Sequence, residues 1–261
     1  MTILDHEYSD LPTAEGPMRT HIFRPTAPGK YPGIVLYSEI FQATGPIRRT
    51  AAFLAGNGFV VAVPEIFHMH ETPGTVLAYD SAGADRGNWC KVNTELAQFD
   101  ADLATVREFL KSHPACTGRL GAMGICIGGH FSFRQAMSTD ILAAVCLYAT
   151  DIHKLENHVR GLGAGMCDDS LERARRGDIQ AELLMVWGRQ DPHVPFEGRV
   201  QIREALEQGG ALYTALEYNG AHAFLRDEGP RYNPVLAGFV HAHTLELFKR
   251  KLGEGDVSAP K

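Results

Sequence analysis

The sequence predicts an α/β fold with a mostly parallel central sheet flanked by helices on both faces. Two observations carry that expectation. Short apolar, β-rich runs alternate with longer amphipathic stretches along the 261 residues, the pattern of strands and covering helices. Internal repeats, low-complexity tracts and Ser/Gly linkers are absent from the sequence. At 44% hydrophobic and 21% charged, the composition is that of a globular chain, and a single domain over residues 1–261 is expected.

The elements follow in order. Residues 33–37 and 58–63 read as buried strands, the second stopped by Pro64. Between them, 46–57 places Ile47, Ala51 and Leu54 at helical spacing. The clearest helix is 95–111, where Leu96, Phe99, Leu103, Val106 and Leu110 share one face. Residues 119–123 form a short strand leading into a glycine-rich turn at 124–129. Strands follow at 141–148, 182–187 and 212–218, and a closing helix at 233–251. That helix ends in Lys249-Arg250-Lys251, cations that suit the negative end of its dipole. Two long stretches, 67–91 and 151–180, break the alternation; the second holds a helix capped near Asp168-Asp169. Each follows a strand, so both are expected to rim a pocket at the strands' carboxyl ends.

The net charge of −6 and pI near 6.0 give no reason to expect a nucleic-acid partner. No apolar run approaches the roughly 20 residues that span a bilayer. The opening segment carries Asp5, His6, Glu7 and Asp10 rather than a basic and then apolar signal layout, so a cytoplasmic protein is expected. Five cysteines without C-x-x-C spacing argue for reduced thiols rather than a disulfide framework or a zinc site.

The most informative segment is Met123-Gly124-Ile125-Cys126-Ile127-Gly128-Gly129-His130. Its G-x-C-x-G form, between a strand and a helix starting near Ile127, is the cysteine version of the nucleophile elbow. Glycines flank such a turn because strand and helix backbones approach too closely for a β-carbon. A thiol at the first turn of a helix also feels the positive end of the dipole, and the N–H of Ile127 is expected to face a forming oxyanion.

Two further segments complete a constellation. Asp191 lies just past the strand at 182–187, and His222 just past the strand at 212–218. Nucleophile, acid and histidine in that order are the order of the α/β-hydrolase triad. His193 stands too close in sequence to Asp191 to be its partner. His130 is expected to point into the fold, and Asp151, past the strand at 141–148, is the alternative acid.

These residues resemble the dienelactone hydrolase family (carboxymethylenebutenolidases). The resemblance runs from about Tyr31 to Arg250 and is carried by Ser38-Glu39-Ile40-Phe41, the 124–129 elbow with Cys126, the 187–195 segment, and Ala221-His222-Ala223-Phe224. It implies an α/β-hydrolase fold and a Cys-His-Asp hydrolase of lactones or related esters, without metal or organic cofactor. It implies further that Glu39 contacts the resting thiol and that the N–H of Ile40 is a second oxyanion donor. Arg226, four residues after His222, matches a family arginine that binds a substrate carboxylate; a guanidinium grips that planar group bidentately. Arg86 is the candidate for a second such arginine.

The expected partner is therefore a small lactone or ester carrying a carboxylate, hydrolysed through a thioester acyl-enzyme. The 67–91 loop, with His68, His70 and Trp89, differs from the bacterial muconate-pathway enzymes and leaves the substrate open. A broad carboxylesterase or thioesterase is the rival enzyme reading, and a non-catalytic ligand or thiol redox sensor the rival from another class. The pair His68 and His70 beside Glu71 has no distant third ligand and is a weak metal motif. His241 and His243 fit surface or packing positions on the last helix.

Overall fold

The computed structural model describes residues 1–153 and 161–253. Its centre is an eight-stranded sheet made of β1 (Ile3–Thr13), β2 (Gly16–Pro25), β3 (Tyr31–Tyr37), β4 (Val60–Pro64), β5 (Cys116–Ile125), β6 (Ile141–Leu147), β7 (Glu182–Gly188) and β8 (Tyr213–Tyr218), in the order β1-β2-β4-β3-β5-β6-β7-β8. The strands from β4 to β8 in that order pair in parallel, and β1 and β2 add an antiparallel edge.

The parallel strands are apolar on both faces because helices cover both. In β3, Ile34 and Leu36 join one core cluster while Val35 and Tyr37 join the other, and in β4, Val61 and Val63 divide from Val60 and Ala62 in the same way. One face is covered by α1 (Gly45–Gly56) through Ile47, Ala51 and Leu54, and by α7 (Pro234–Leu252) through Val240, Leu247 and Phe248. The other receives α3 (Leu96–Ser112), α4 (Ile127–Gln135), α5 (Ser170–Arg175) and α6 (Phe196–Gln208).

Two elements were not legible as such in the sequence. The β1–β2 hairpin is hidden by its charges, which are cross-strand partners: Arg24 donates to Glu7 at 2.8 Å and Arg19 to Asp10 at 2.9 Å. Charged residues on an edge strand also discourage pairing with another chain. Within the expected 67–91 loop stands α2 (Ser81–Val92), capped by Asp80, whose side chain accepts the N–H of Gly83.

The 151–180 stretch differs from the expected pocket rim. Asp151 does reach the cavity, but 161–180 packs behind the elbow helix. His130 on α4 bonds Ser170 Oγ at 2.8 Å, and Arg134 donates to Asp100 and Asp169. Burial alone would raise Asp168, yet His130 and Ser170 hold it down at about 2. Residues 154–160 of that stretch lie outside the described residues. Among the described residues no helix is long and apolar enough to cross a membrane.

Candidate active site

Cys126 sits between β5 and α4 with φ 61° and ψ −120°, a conformation that costs energy in a residue with a β-carbon. The glycines around it make the turn possible. A β-carbon on Gly124 would stand 1.8 Å from the carbonyl oxygen of Gly128, and one on Gly128 would stand 2.2 Å from that of Tyr37. The strand's last turn is held by the N–H of Cys126 on the Leu147 carbonyl at 3.0 Å. Ile127 follows as the first residue of α4.

His222, on the loop after β8, lines the same cavity as Cys126, whose sulfur acts on the imidazole. Its Nδ1 lies 2.7 Å from Asp191 Oδ2, on the loop after β7. Both side chains are buried. Tyr148 packs edge-on against the imidazole at 5.1 Å between ring centroids, and His193 does so at 4.6 Å. Burial by itself would lower the His222 pKa, but the Cys126 sulfur and the Asp191 carboxylate outweigh it and raise it to about 10.

Glu39, just past β3, is buried and accepts a hydrogen bond from the Tyr79 hydroxyl. Its other oxygen lies 4.0 Å from Arg226 Nη1. Tyr79 also bonds Thr44 Oγ1 at 2.7 Å and carries the Arg226 guanidinium 4.1 Å above its ring. Burial raises the Glu39 carboxyl, opposed by Tyr79, Arg226 and His222. Among the described residues no hydrogen bond joins Glu39 to Cys126; its carboxylate is engaged by Tyr79 and Arg226. The phenol and the guanidinium are stronger partners for a buried carboxylate than a thiol.

One cavity of about 250 Å³ gathers Glu39, Ile40, Cys126, His222 and Arg226 in its wall, with Asp191 behind His222. Arg86 is not in that wall. It donates to Glu71 at 2.5 Å and to the His70 carbonyl at 2.8 Å, and it covers the ring of Trp89. Its place on α2 turns the side chain away from the cavity. Facing inward from α2 are Ala84, Asn88 and Lys91, which stand four and three residues apart on one helix face. Lys91 donates to Asp151 Oδ2 at 2.7 Å, and Arg231 completes the cationic part of the wall. Tyr79, Lys91 and Arg231 were not singled out from sequence; the Asp80 cap was the available sign of the helix that carries Lys91.

His68 pairs with Asp102 at 2.9 Å and His70 with Thr94 at 3.0 Å, so the two imidazoles are engaged separately. Among the described residues no group of three or more His, Cys, Asp or Glu side chains could hold a metal ion.

With this geometry in view, the family model of the dienelactone hydrolase family matches residues 18–252. The chain belongs to the dienelactone hydrolase family. With that family it is a hydrolase acting on ester bonds. A Saccharomyces cerevisiae protein, provisionally named a carboxymethylenebutenolidase, is 36% identical over 96% of this chain and 93% of its own length. The carboxymethylenebutenolidase of Pseudomonas sp. strain P51 is 27% identical over 86% of this chain and 87% of its own. The fold is likewise that of a structure from Klebsiella pneumoniae, provisionally assigned as a dienelactone hydrolase, with TM-score 0.81 and 24% identity over 96% of this chain and 100% of that one. A dienelactone hydrolase-like promiscuous phosphotriesterase from metagenomic libraries shares it at TM-score 0.74 and 18% identity, over 97% of this chain and 99% of that one.

Proposed function

We propose that this enzyme hydrolyses a lactone or related carboxylic ester through a thioester on Cys126. The observation that carries the reading is the continuous line from Asp191 through His222 to Cys126 at the wall of the cavity. With the thiol proton residing on His222, the sulfur attacks the carbonyl carbon, whose oxygen takes up charge facing the N–H groups of Ile40 and Ile127. Collapse of the tetrahedral intermediate breaks the carbon–oxygen bond, and the imidazolium gives its proton to the departing oxygen. Neutral His222 then takes a proton from water as that water attacks the thioester; the carbon–sulfur bond breaks, the acid departs, and the sulfur is left beside the imidazolium as at the start. Asp191 keeps the imidazole oriented throughout.

The substrate we favour carries a carboxylate. Arg226 is held by Tyr79 and Glu39 at the β3 side of the cavity, and Arg231 adds a second guanidinium to the same wall. Glu39 in this reading holds Arg226 and Tyr79 ready for the substrate.

The test is turnover of p-nitrophenyl acetate and of cis- and trans-dienelactone by the wild type, Cys126→Ala and Cys126→Ser. Dienelactone turnover that disappears in Cys126→Ala supports the nucleophile and the lactone substrate. Turnover of the simple ester alone keeps the mechanism and removes the lactone. Equal activity in Cys126→Ala refutes both. Arg226→Gln is expected to reduce dienelactone turnover and leave the preference among neutral esters intact.

A further inference from the structure

The cavity has two charged flanks, and only one is accounted for above. In the sheet, β5 lies between β3 and β6. Glu39 follows β3 and Asp151 follows β6, so they stand on opposite sides of Cys126 along the sheet edge. Strands are spaced by about 4.8 Å, so a small ester seated on the sulfur reaches both flanks. On the β6 side, Lys91 and Asp151 form a 2.7 Å ion pair, both side chains buried and both in the cavity wall.

Asp151 is also conformationally costly. Its φ is 72°, a left-handed geometry rarely found outside glycine, and residues held so cluster at ligand sites. The preceding residue anchors it to the elbow, since the N–H of Thr150 donates to the Cys126 carbonyl at 3.3 Å. Lys91 arrives from α2, on the face that carries Ala84 and Asn88 inward. A buried ion pair is seldom the most stable filling for its space, and apolar replacements often do as well. Charges placed in the wall of a binding cavity point to a ligand.

We infer that the Lys91–Asp151 pair is a second substrate subsite, which binds a hydroxyl group that the ester carries beside its scissile bond. This rests on the proposed attack by Cys126. A second substrate anion would meet the Asp151 carboxylate as well as the ammonium. An ammonium only donates and a carboxylate only accepts. A hydroxyl does both on one atom and matches the pair without adding charge. Asn88, in the same wall, supplies an amide beside it.

The experiment compares kcat/KM for esters differing by one hydroxyl on either side of the bond: p-nitrophenyl butyrate against its 3-hydroxybutyrate, and ethyl butyrate against 2-hydroxyethyl butyrate. The enzymes are the wild type, Lys91→Met, Asp151→Asn, and the double variant that removes both charges together. Thermal melting identifies any variant that does not fold, and the double variant avoids leaving one buried charge alone. The wild type is expected to favour the hydroxylated member of at least one pair. Each variant should cut that preference on the order of ten-fold, the scale of a lost charge-assisted hydrogen bond. No preference in the wild type, or variants that slow both members of each pair equally, would overturn the subsite and reduce the pair to a tie between α2 and β6. A wild type inactive on all four esters and on p-nitrophenyl acetate would instead refute the ester-cleaving role of Cys126.

Discussion

Asp191 grips His222 with one carboxylate oxygen and the backbone with the other: Oδ2 lies 2.7 Å from His222 Nδ1, and Oδ1 accepts the N–H of His193 at 2.8 Å. The acid is thus fixed by its own loop before it fixes the imidazole. Asp191→Asn keeps the shape and the His193 bond. It presents an NH₂ group to Nδ1, however, which selects the tautomer with its proton on the nitrogen facing Cys126. Ester turnover should fall on the order of 10³- to 10⁴-fold with little change in melting temperature. A loss below ten-fold, measured at saturating substrate, would remove Asp191 from the triad and return Asp151 to consideration.

His222 should be cationic through neutral pH in the free enzyme. Its pKa of about 10 is set against burial by Cys126 first and Asp191 next. Cys126→Ala removes the largest supporting partner and leaves the burial, so the imidazole should titrate at distinctly lower pH. Imidazole NMR across pH 5 to 10 checks this, and coincident titration curves for the two proteins would contradict it. The linkage has a definite sign. A raised folded-state pKa stabilises fully below the ordinary value of 6.5 and is lost as pH rises through about 10. Wild-type stability should decline over that window more than that of Cys126→Ala.

Glu39 makes the opposite demand on the fold at neutral pH. Burial raises its carboxyl above the ordinary 4.5 in spite of Tyr79 and Arg226. A raised folded-state value means that the favourable contribution exists below 4.5 and vanishes as pH climbs through the folded value. The ionised side chain is then a cost carried for function. Glu39→Gln should melt higher than the wild type at pH 8, with the gap closing toward pH 4.5, and should turn over dienelactone more slowly. A gap that does not depend on pH would refute the burial of a charge as its cause.

Much of this site could be read from the sequence because its parts follow strongly patterned strands. Cys126, Asp191 and His222 each come within four residues of a strand's end, and the glycines around Cys126 mark a turn where a β-carbon would collide with backbone. The hairpin at residues 3–25 escaped because Glu7, Asp10, Arg19 and Arg24 look solvated until they are paired across strands. The α2 helix escaped because Gly83 and Gly87 weaken the helical pattern, and Arg86 was misplaced with it. Pairings such as Lys91 with Asp151 and Tyr79 with Glu39 join residues far apart in sequence, and one sequence holds no local sign of them.

Gly87 explains why α2 accepts that weakness. Its α-carbon faces Ile40 so closely that a β-carbon would stand 2.3 Å from the Ile40 carbonyl oxygen and 2.9 Å from the Ile40 β-carbon. The helix that carries Asn88 and Lys91 thus rests directly on the segment whose N–H is proposed to receive the oxyanion. Gly87→Ala forces one of the two backbones to move. Helix propensity alone would favour alanine by roughly 1 kcal/mol, whereas overpacking against backbone costs about 1–3 kcal/mol, so the net change should be destabilising. The kinetic effect should fall on kcat more than on KM, because displaced oxyanion donors weaken the transition state more than the bound ester. A variant that melts higher than the wild type with unchanged kcat would show that α2 and Ile40 move independently of the chemistry.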